Sequence, residues 1–285
     1  MEELKGLMTA LITPFDQNGD LDEEGLKTLI AEQMEAKVDS LLLLGSTGEM
    51  MTLSPEERER VVELTIKASS KPVIVNVGTN NTSESIARAQ RAEQMGADAL
   101  LVVTPYYLKP PQEGIFRHFE EIAKKVSLPI IIYNIPGRTG RNIEVATLKK
   151  LAKIPNVIAL KESSGDFAQA FAVMKDLIVL SGDDGDALPL IALGAQGHVS
   201  VTSNLLPKEM KKLVDASIKG NFEEARKMQA QLFPLFQVMF SESNPIPLKK
   251  AMQLLKLPSG EPRLPLTPME NVERMQTVLE EMGYL

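Results

Sequence analysis

The sequence contains no cysteine, and only two of its 285 residues are histidine. The absence of cysteine excludes disulfides, thiolate metal ligands and a cysteine nucleophile. Two histidines, His118 and His198, are too few for a histidine-rich metal cluster. No apolar run approaches the roughly 20 residues that a membrane-spanning helix needs. These absences leave a globular protein whose chemistry needs neither thiols nor a histidine-rich metal site.

The sequence also has fewer basic than acidic residues: 31 lysines and arginines against 38 aspartates and glutamates, which gives a formal net charge of −7. Nucleic acids and anionic membranes attract clustered basic residues, so this balance argues against both as partners. A small anionic substrate stays compatible, because one or two local cations can hold a carboxylate. The amino-terminal residues 1–5 are polar and lack the apolar core of a signal sequence, so we expect a cytoplasmic protein.

The sequence does contain a repeated alternation of short apolar runs and amphipathic stretches. The runs are rich in β-branched residues without clean alternation, which is typical of strands buried on both faces of a parallel sheet. They are 7–13, 38–44, 72–77, 99–104, 129–133, 157–160, 177–181 and 198–202. Eight such units with helix-like segments between them predict a TIM (β/α)8 barrel. A doubly wound sheet is the alternative, but eight units fit a closed barrel better.

No further strand is predicted after about Leu205. The remaining segments favour helices separated by proline-rich turns: 208–219, 223–240, 248–255 and 269–282. We therefore predict a (β/α)8 barrel over residues 1–204. Residues 205–285 would supply the final barrel helix and a C-terminal helical extension.

The residues that follow each apolar run are the candidate site residues, because catalytic groups in a TIM barrel lie at the C-terminal ends of the strands. Lys161 directly follows the run 157–160. Burial disfavours the charged ammonium form, and attack on a ketone requires a neutral amine. The alternative is a structural lysine that reaches solvent past the barrel rim or pairs with Glu162. Position alone leaves both alternatives open.

Other strand ends carry groups suited to a carboxylate substrate. Tyr133 offers a phenol that can transfer protons, and Arg138 offers a planar guanidinium. Ser46 and Thr47 lie between glycines, where hydroxyls and backbone N–H groups can bind a carboxylate. Tyr107 follows the fourth run, where a tyrosine is more often a packing residue. Packing or an ordinary loop would explain each of these residues taken alone.

The acidic segment 182–186 follows the seventh run, where many TIM barrels bind phosphate. Its three aspartates would repel a phosphate, so we do not expect a phosphorylated substrate. Without histidine partners a metal site is not favoured either. A polar loop that caps a helix is the simpler interpretation.

Three segments together, in this order and spacing, resemble the dihydrodipicolinate synthase / N-acetylneuraminate lyase family: 45–49 (GSTGE), 133–140 (YNIPGRTG) and 161–162 (KE). The resemblance covers essentially the whole chain, and further matching segments are 104–107, 182–184, 197–202 and 243–247. Each motif is weak alone, but the ordered set is specific. The Gly-Arg within 133–140 resembles the synthases of the family rather than its sugar-acid lyases. The resemblance implies condensation of pyruvate with aspartate semialdehyde, without a cofactor or metal.

The resemblance also implies a role for each matching residue. Lys161 would form an imine with pyruvate, and Tyr133 would pass protons in a relay with Ser46 and Tyr107. Tyr107 would reach in from a neighbouring subunit, so at least a dimer is expected. The family suggests a dimer or a tetramer. The substrate-binding residues would be Thr47 and its N–H for the pyruvate carboxylate, Arg138 for the carboxylate of the semialdehyde, and the nearby Val199 carbonyl.

Two positions depart from the pattern of the synthases. They usually carry threonine where this chain has Ser46, a residue common in the lyases, although serine keeps the hydroxyl that the relay needs. Leu108 stands where asparagine is frequent. At the site where lysine inhibits many synthases, three residues match (Asn80, Glu84 and Tyr106) and three do not (Met50, Met51 and Arg58). Feedback inhibition is therefore a hypothesis that a lysine titration of the rate would test.

Two alternatives to the synthase remain. The first is a lyase or aldolase for N-acetylneuraminate or a 2-keto-3-deoxy sugar acid, which Ser46 favours and Arg138 disfavours. The second is a catalytically idle homologue that acts as a binding protein. A non-catalytic protein has no need of the complete set of candidate residues, so the sequence favours an enzyme.

Overall fold

Eight parallel strands close into a barrel in the computed structural model, which describes residues 4–285. Each strand pairs with the next along the chain, and the eighth pairs with the first. The strands are β1 Gly6–Ala10, β2 Ser40–Leu43, β3 Val73–Asn76, β4 Ala99–Val103, β5 Ile130–Asn134, β6 Val157–Glu162, β7 Ile178–Ser181 and β8 Gly197–Ser200. Each lies within or overlaps one of the eight predicted runs. The β1–β8 pairing confirms the TIM barrel and excludes the doubly wound sheet.

Twelve α-helices accompany the strands within the described residues. They are α1 Glu23–Glu35, α2 Pro55–Ala68, α3 Thr82–Met95, α4 Gln112–Ala123, α5 Pro136–Thr139, α6 Val145–Leu151, α7 Phe167–Val173, α8 Ala187–Leu193, α9 Pro207–Ile218, α10 Phe222–Met239, α11 Ile246–Leu254 and α12 Val272–Glu281. Local sequence fixes several of their starts. The Ser54 side chain accepts a hydrogen bond from the Glu57 N–H, the Glu57 carboxylate accepts one from the Ser54 N–H, and Pro55 occupies the first turn of α2.

The core has two layers, which explains why the strand residues do not alternate between apolar and polar. One layer fills the barrel interior with Leu4, Met8, Ala10, Leu42, Ile74, Ala99, Leu101, Ile131, Tyr133, Ala159, Leu180 and Val199. The other lies between the strands and the surrounding helices, for example around Leu7, Val75 and Leu160. Both faces of each strand are therefore buried.

The C-terminal helical region is joined to the rim of the barrel by a buried ion pair. Lys249 of α11 lies 2.6 Å from Glu49, at the end of the segment 45–49 that follows β2, and both side chains are buried. The cations of Lys249 and Arg263 lie 4.0 and 4.2 Å from the centre of the Phe15 ring. The backbone N–H of Arg263 also donates to Glu49 at 2.9 Å. These contacts fix the segment that carries Ser46 and Thr47.

The first three residues of the polar amino terminus lie outside the described part of the chain. Within residues 4–285, no helix combines the length and apolarity needed to cross a membrane. The division of the chain at residue 204 stays a prediction. In the structure, α9 follows β8 and packs against β1 and β8, and α10 to α12 continue beyond it.

Candidate active site

A cavity of about 230 Å³ opens at the C-terminal ends of the strands, where the sequence predicts the site. Four strands, β1, β2, β5 and β6, contribute to its wall, together with the segments after several strands. The lining residues are Ala10, Leu42, Gly45, Ser46, Thr47, Tyr133, Ile135, Gly137, Arg138, Lys161, Ser163, Gly182, Asp183, Val201, Phe240 and Asn244. A second cavity of about 510 Å³ adjoins it, and the two share residues of the segments after β2 and β5. The fold therefore brings together most of the residues that the sequence singled out.

Lys161 lies inside β6, which extends to Glu162 rather than ending at Leu160 as predicted. Its side chain is buried, with 7% of the residue exposed, and it forms no ion pair with any described residue. Glu162 points to the other face of the strand, where it accepts hydrogen bonds from Asn134, Gln169 and the Ser164 N–H. The structural alternative in which Lys161 pairs with Glu162 is therefore wrong.

The nearest aromatic neighbour of Lys161 is Tyr133 of β5. The two residues are partners in the parallel register of β5 and β6, so strand pairing itself places their side chains together. The Lys161 Nζ lies 4.1 Å from the centre of the Tyr133 ring. The tyrosine is also buried, and its backbone carbonyl accepts hydrogen bonds from the N–H and hydroxyl of Thr104. Backbone pairing thus holds both residues of this pair.

The segment after β2 presents two hydroxyls to the cavity. Thr47 is buried, and its Oγ1 accepts a hydrogen bond of 2.9 Å from the Asn244 side chain, which leaves its own proton free to be donated. Ser46 is half-buried and lines both cavities. Gly48 passes so close to the Leu11 carbonyl that an added Cβ would lie 3.1 Å from it. This close approach explains one glycine of the motif.

Arg138 lies in the short helix α5, at the boundary between the two cavities. Its guanidinium donates one hydrogen bond of 3.1 Å to the Asn244 carbonyl. The residue is otherwise exposed, and it has further N–H donors for a ligand. Asn244 therefore contacts both predicted carboxylate-binding residues, through its side chain to Thr47 and through its backbone to Arg138.

Tyr107 and Val199 do not line the inner cavity. Tyr107 is 85% exposed, has a positive φ of 68° and lines the outer cavity but not the cavity that contains Lys161. No hydrogen bond within the described chain joins its hydroxyl to those of Ser46 and Tyr133. Val199 lies in β8 with its side chain inside the barrel, and Val201 lines the cavity instead.

The acidic segment after β7 has a structural network beneath the cavity. Asp184 is fully buried and accepts hydrogen bonds from His198 at 2.7 Å, from Ser200 at 2.6 Å, and from the N–H and hydroxyl of Thr202 at 2.9 and 2.8 Å. Burial opposes its ionisation, but the hydrogen bond and charge of His198, aided by the other donors, hold the pKa of Asp184 below its ordinary value. The network ties the segment after β7 to the end of β8.

Asp183 faces the cavity instead. Burial, and then the neighbouring charge of Asp184, raise the pKa of the Asp183 carboxyl.

Sequence reasoning treated Asp183 only as part of a polar loop. It also missed Ser163, although the spacing of two from Lys161 along an extended strand is the signal that places both on one face. The position of Asn244, 197 residues from its partner Thr47, had no local signal of this kind.

A buried lysine without an ion-pair partner among residues 4–285, beside a tyrosine and two hydroxyls at the C-terminal end of a parallel barrel, is equipped for imine chemistry. The sequence matches the dihydrodipicolinate synthetase family over residues 3–281. The 4-hydroxy-tetrahydrodipicolinate synthase of Protochlamydia amoebophila is 47% identical over an alignment of 290 residues with gaps included, and the alignment covers 98% of this chain and 97% of the relative.

Solved structures agree with the sequence match. The crystal structure of dihydrodipicolinate synthase from Aquifex aeolicus has a TM-score of 0.95 at 42% identity and covers 99% of both chains. That of the synthase from Acinetobacter baumannii, complexed with pyruvate, has a TM-score of 0.96 at 37% identity, covering 99% of this chain and 100% of the other. The chain belongs to the dihydrodipicolinate synthetase family. It is an enzyme of the lyase class, and the family resemblance is confirmed.

Proposed function

We propose that the chain condenses pyruvate with L-aspartate semialdehyde to give 4-hydroxy-tetrahydrodipicolinate and one molecule of water, the entry reaction to diaminopimelate and lysine. The observation that carries the proposal is Lys161, a buried amine in a cavity at the C-terminal end of the barrel, which has no carboxylate partner in the described part of the chain. The relatives of known activity, matched over nearly their whole length, favour the same reaction.

In the proposed mechanism, Lys161 attacks the ketone carbon of pyruvate, and loss of water gives an iminium ion. Loss of a methyl proton then gives an enamine, whose carbon attacks the aldehyde. The amine of the semialdehyde closes the ring by displacing the lysine nitrogen. No external cofactor or metal takes part in this scheme, since the protonated imine itself accepts the electrons.

The remaining residues bind the substrates and move protons. Tyr133, next to Lys161, passes protons during imine formation and ring closure. Thr47 and its N–H hold the pyruvate carboxylate, because the hydrogen bond from Asn244 leaves the threonine proton available. Arg138 at the cavity mouth receives the carboxylate of the semialdehyde, for which a planar guanidinium is well suited. The Val199 carbonyl remains in the proposal only as a neighbour of the site, since its side chain is inside the barrel.

The proton relay requires a second copy of the chain. Ser46 and Tyr133 line the cavity, but Tyr107 of the same chain is exposed at the outer cavity. We infer that Tyr107 completes the relay in a neighbouring subunit, which makes a homodimer the smallest active form and a tetramer compatible with it. We also expect the protein in the cytoplasm.

A coupled assay tests the reaction. The protein is incubated with pyruvate and aspartate semialdehyde, and a downstream reductase reports the product through oxidation of its nicotinamide cofactor. We expect turnover by the unmodified protein and none by Lys161→Ala. Turnover with sugar-acid aldehydes alone would favour the lyase alternative, for which Ser46 is the supporting residue. Absence of turnover with any aldehyde would favour the idle homologue.

A further inference from the structure

Ser163 is a residue of the Lys161 cavity that the mechanism above does not use. It lies two positions after Lys161, directly beyond β6, and its backbone N–H continues the strand pairing by donating to the Asn134 carbonyl at 2.9 Å. Residues two apart on an extended chain point to the same face. Ser163 and Lys161 therefore both face the cavity, and both line it, while Glu162 between them faces outward.

The Ser163 hydroxyl is buried and has no hydrogen-bond partner among residues 4–285. Neighbouring serines behave differently: the Ser181 hydroxyl donates to the Asp183 carbonyl, and the Ser200 hydroxyl donates to Asp184. Buried hydroxyls are nearly always paired, because an unpaired one loses its hydrogen bonds to water without replacement. An unpaired hydroxyl that faces a cavity is therefore most simply explained by a partner that binds there.

Gly182 shows how closely this hydroxyl and the lysine are packed. A Cβ added at Gly182 would lie 2.0 Å from the Ser163 Oγ and 3.0 Å from the Lys161 Cε. Both atoms thus lie within 3.0 Å of one point, and the chain provides room for them only because residue 182 has no side chain. The backbone of Gly182 has no positive φ, so this steric requirement is the reason for glycine.

We propose that the Ser163 hydroxyl is a further catalytic group, which donates a hydrogen bond to the oxygen of the carbinolamine that pyruvate forms on Lys161. This inference rests on the proposed function. When the carbinolamine collapses, the nitrogen lone pair forms the C=N bond, the C–O bond breaks, and the oxygen takes a proton from Tyr133 and leaves as water. Tyr133 regains that proton from the methyl group when the enamine forms. Ser163 keeps its own proton and stabilises the charge on the departing oxygen.

The test measures imine formation without the aldehyde. The protein is mixed with pyruvate, quenched with borohydride after increasing times, and the reduced adduct is quantified by intact mass. We expect Ser163→Ala to lower the maximal rate of adduct formation about one-hundred- to one-thousand-fold, as for other single donors to a reacting oxygen. The pyruvate concentration at half-maximal rate should change much less.

Ser164→Ala is the matched control, because the Ser164 hydroxyl serves a turn by accepting from the Asp166 N–H and does not line the cavity. It should form the adduct at the unmodified rate, and both variants should melt at the temperature of the unmodified protein. Equal maximal rates for the two variants would overturn the role of Ser163, as would a change confined to the half-maximal pyruvate concentration. Failure of the unmodified protein to form any adduct would instead overturn the proposed function.

Discussion

Replacement of Lys249 by methionine removes the cation of a buried ion pair while keeping most of the apolar volume of the side chain. The pair joins α11 to the segment that carries Ser46 and Thr47, with 2.6 Å between Lys249 and Glu49. Removal of one partner of such a pair typically costs about 3–5 kcal/mol, because the other charge stays buried without compensation. Within the described chain Glu49 keeps one hydrogen bond, from the Arg263 N–H, so we expect a loss of about 3 kcal/mol.

Urea denaturation at one fixed protein concentration measures this loss, and Lys250→Met is the matched control. Lys250 is the next residue of α11, is only half-buried and forms no ion pair within the described chain. Its replacement should change the free energy of unfolding by less than about 0.5 kcal/mol. The double variant Glu49→Gln with Lys249→Met should recover part of the loss, because it removes both charges of the pair. Equal free energies of unfolding for the two lysine variants would show that the Lys249–Glu49 pair does not stabilise the fold.

Three further predictions concern the site and the surrounding helices. Gly182→Ala should reduce turnover by at least about tenfold and lower the free energy of unfolding by about 1–3 kcal/mol, because the new Cβ would displace the Ser163 hydroxyl and press on Lys161. Steady-state kinetics measures the first effect, and urea denaturation measures the second. Arg138→Met should raise the KM for the semialdehyde while pyruvate still labels the protein, and loss of labelling would contradict the assigned role. Burial lowers the pKa of His118 to about 4. Below about pH 6.5 the unfolded chain therefore binds a proton at this histidine, whereas the folded chain binds it only near pH 4. Stability should therefore fall by up to about 3 kcal/mol between these pH values, and His118→Gln should flatten that part of the urea-derived stability curve; an unchanged slope would contradict it.

The barrel follows directly from the sequence, because buried parallel strands need apolar side chains on both faces. The eight apolar runs therefore stand out from the amphipathic segments between them. The sequence predicts the ends of the strands less accurately than their positions, because buried polar residues can continue the backbone pairing between strands. Lys161 and Glu162 belong to β6 for this reason, since the cavity encloses one and hydrogen bonds satisfy the other.

The candidate site is predictable where its residues lie at the C-terminal ends of strands or in the segments directly after them, as Lys161, Tyr133 and Thr47 do. Contacts made across the fold leave no such pattern. Asn244 reaches Thr47 and Arg138 from the turn before α11, and only the three-dimensional structure brings it there. The need for glycine at position 182 likewise depends on side-chain atoms of Lys161 in β6 and of Ser163 directly after it, which lie distant in sequence.

Borohydride trapping can show whether Lys161 forms a covalent imine with pyruvate. The protein is incubated with pyruvate, reduced with borohydride, digested and mapped by mass spectrometry. We expect a single labelled peptide with the reduced adduct on Lys161, and no adduct in Lys161→Ala. An adduct on another lysine, or turnover of both substrates by Lys161→Ala, would contradict it.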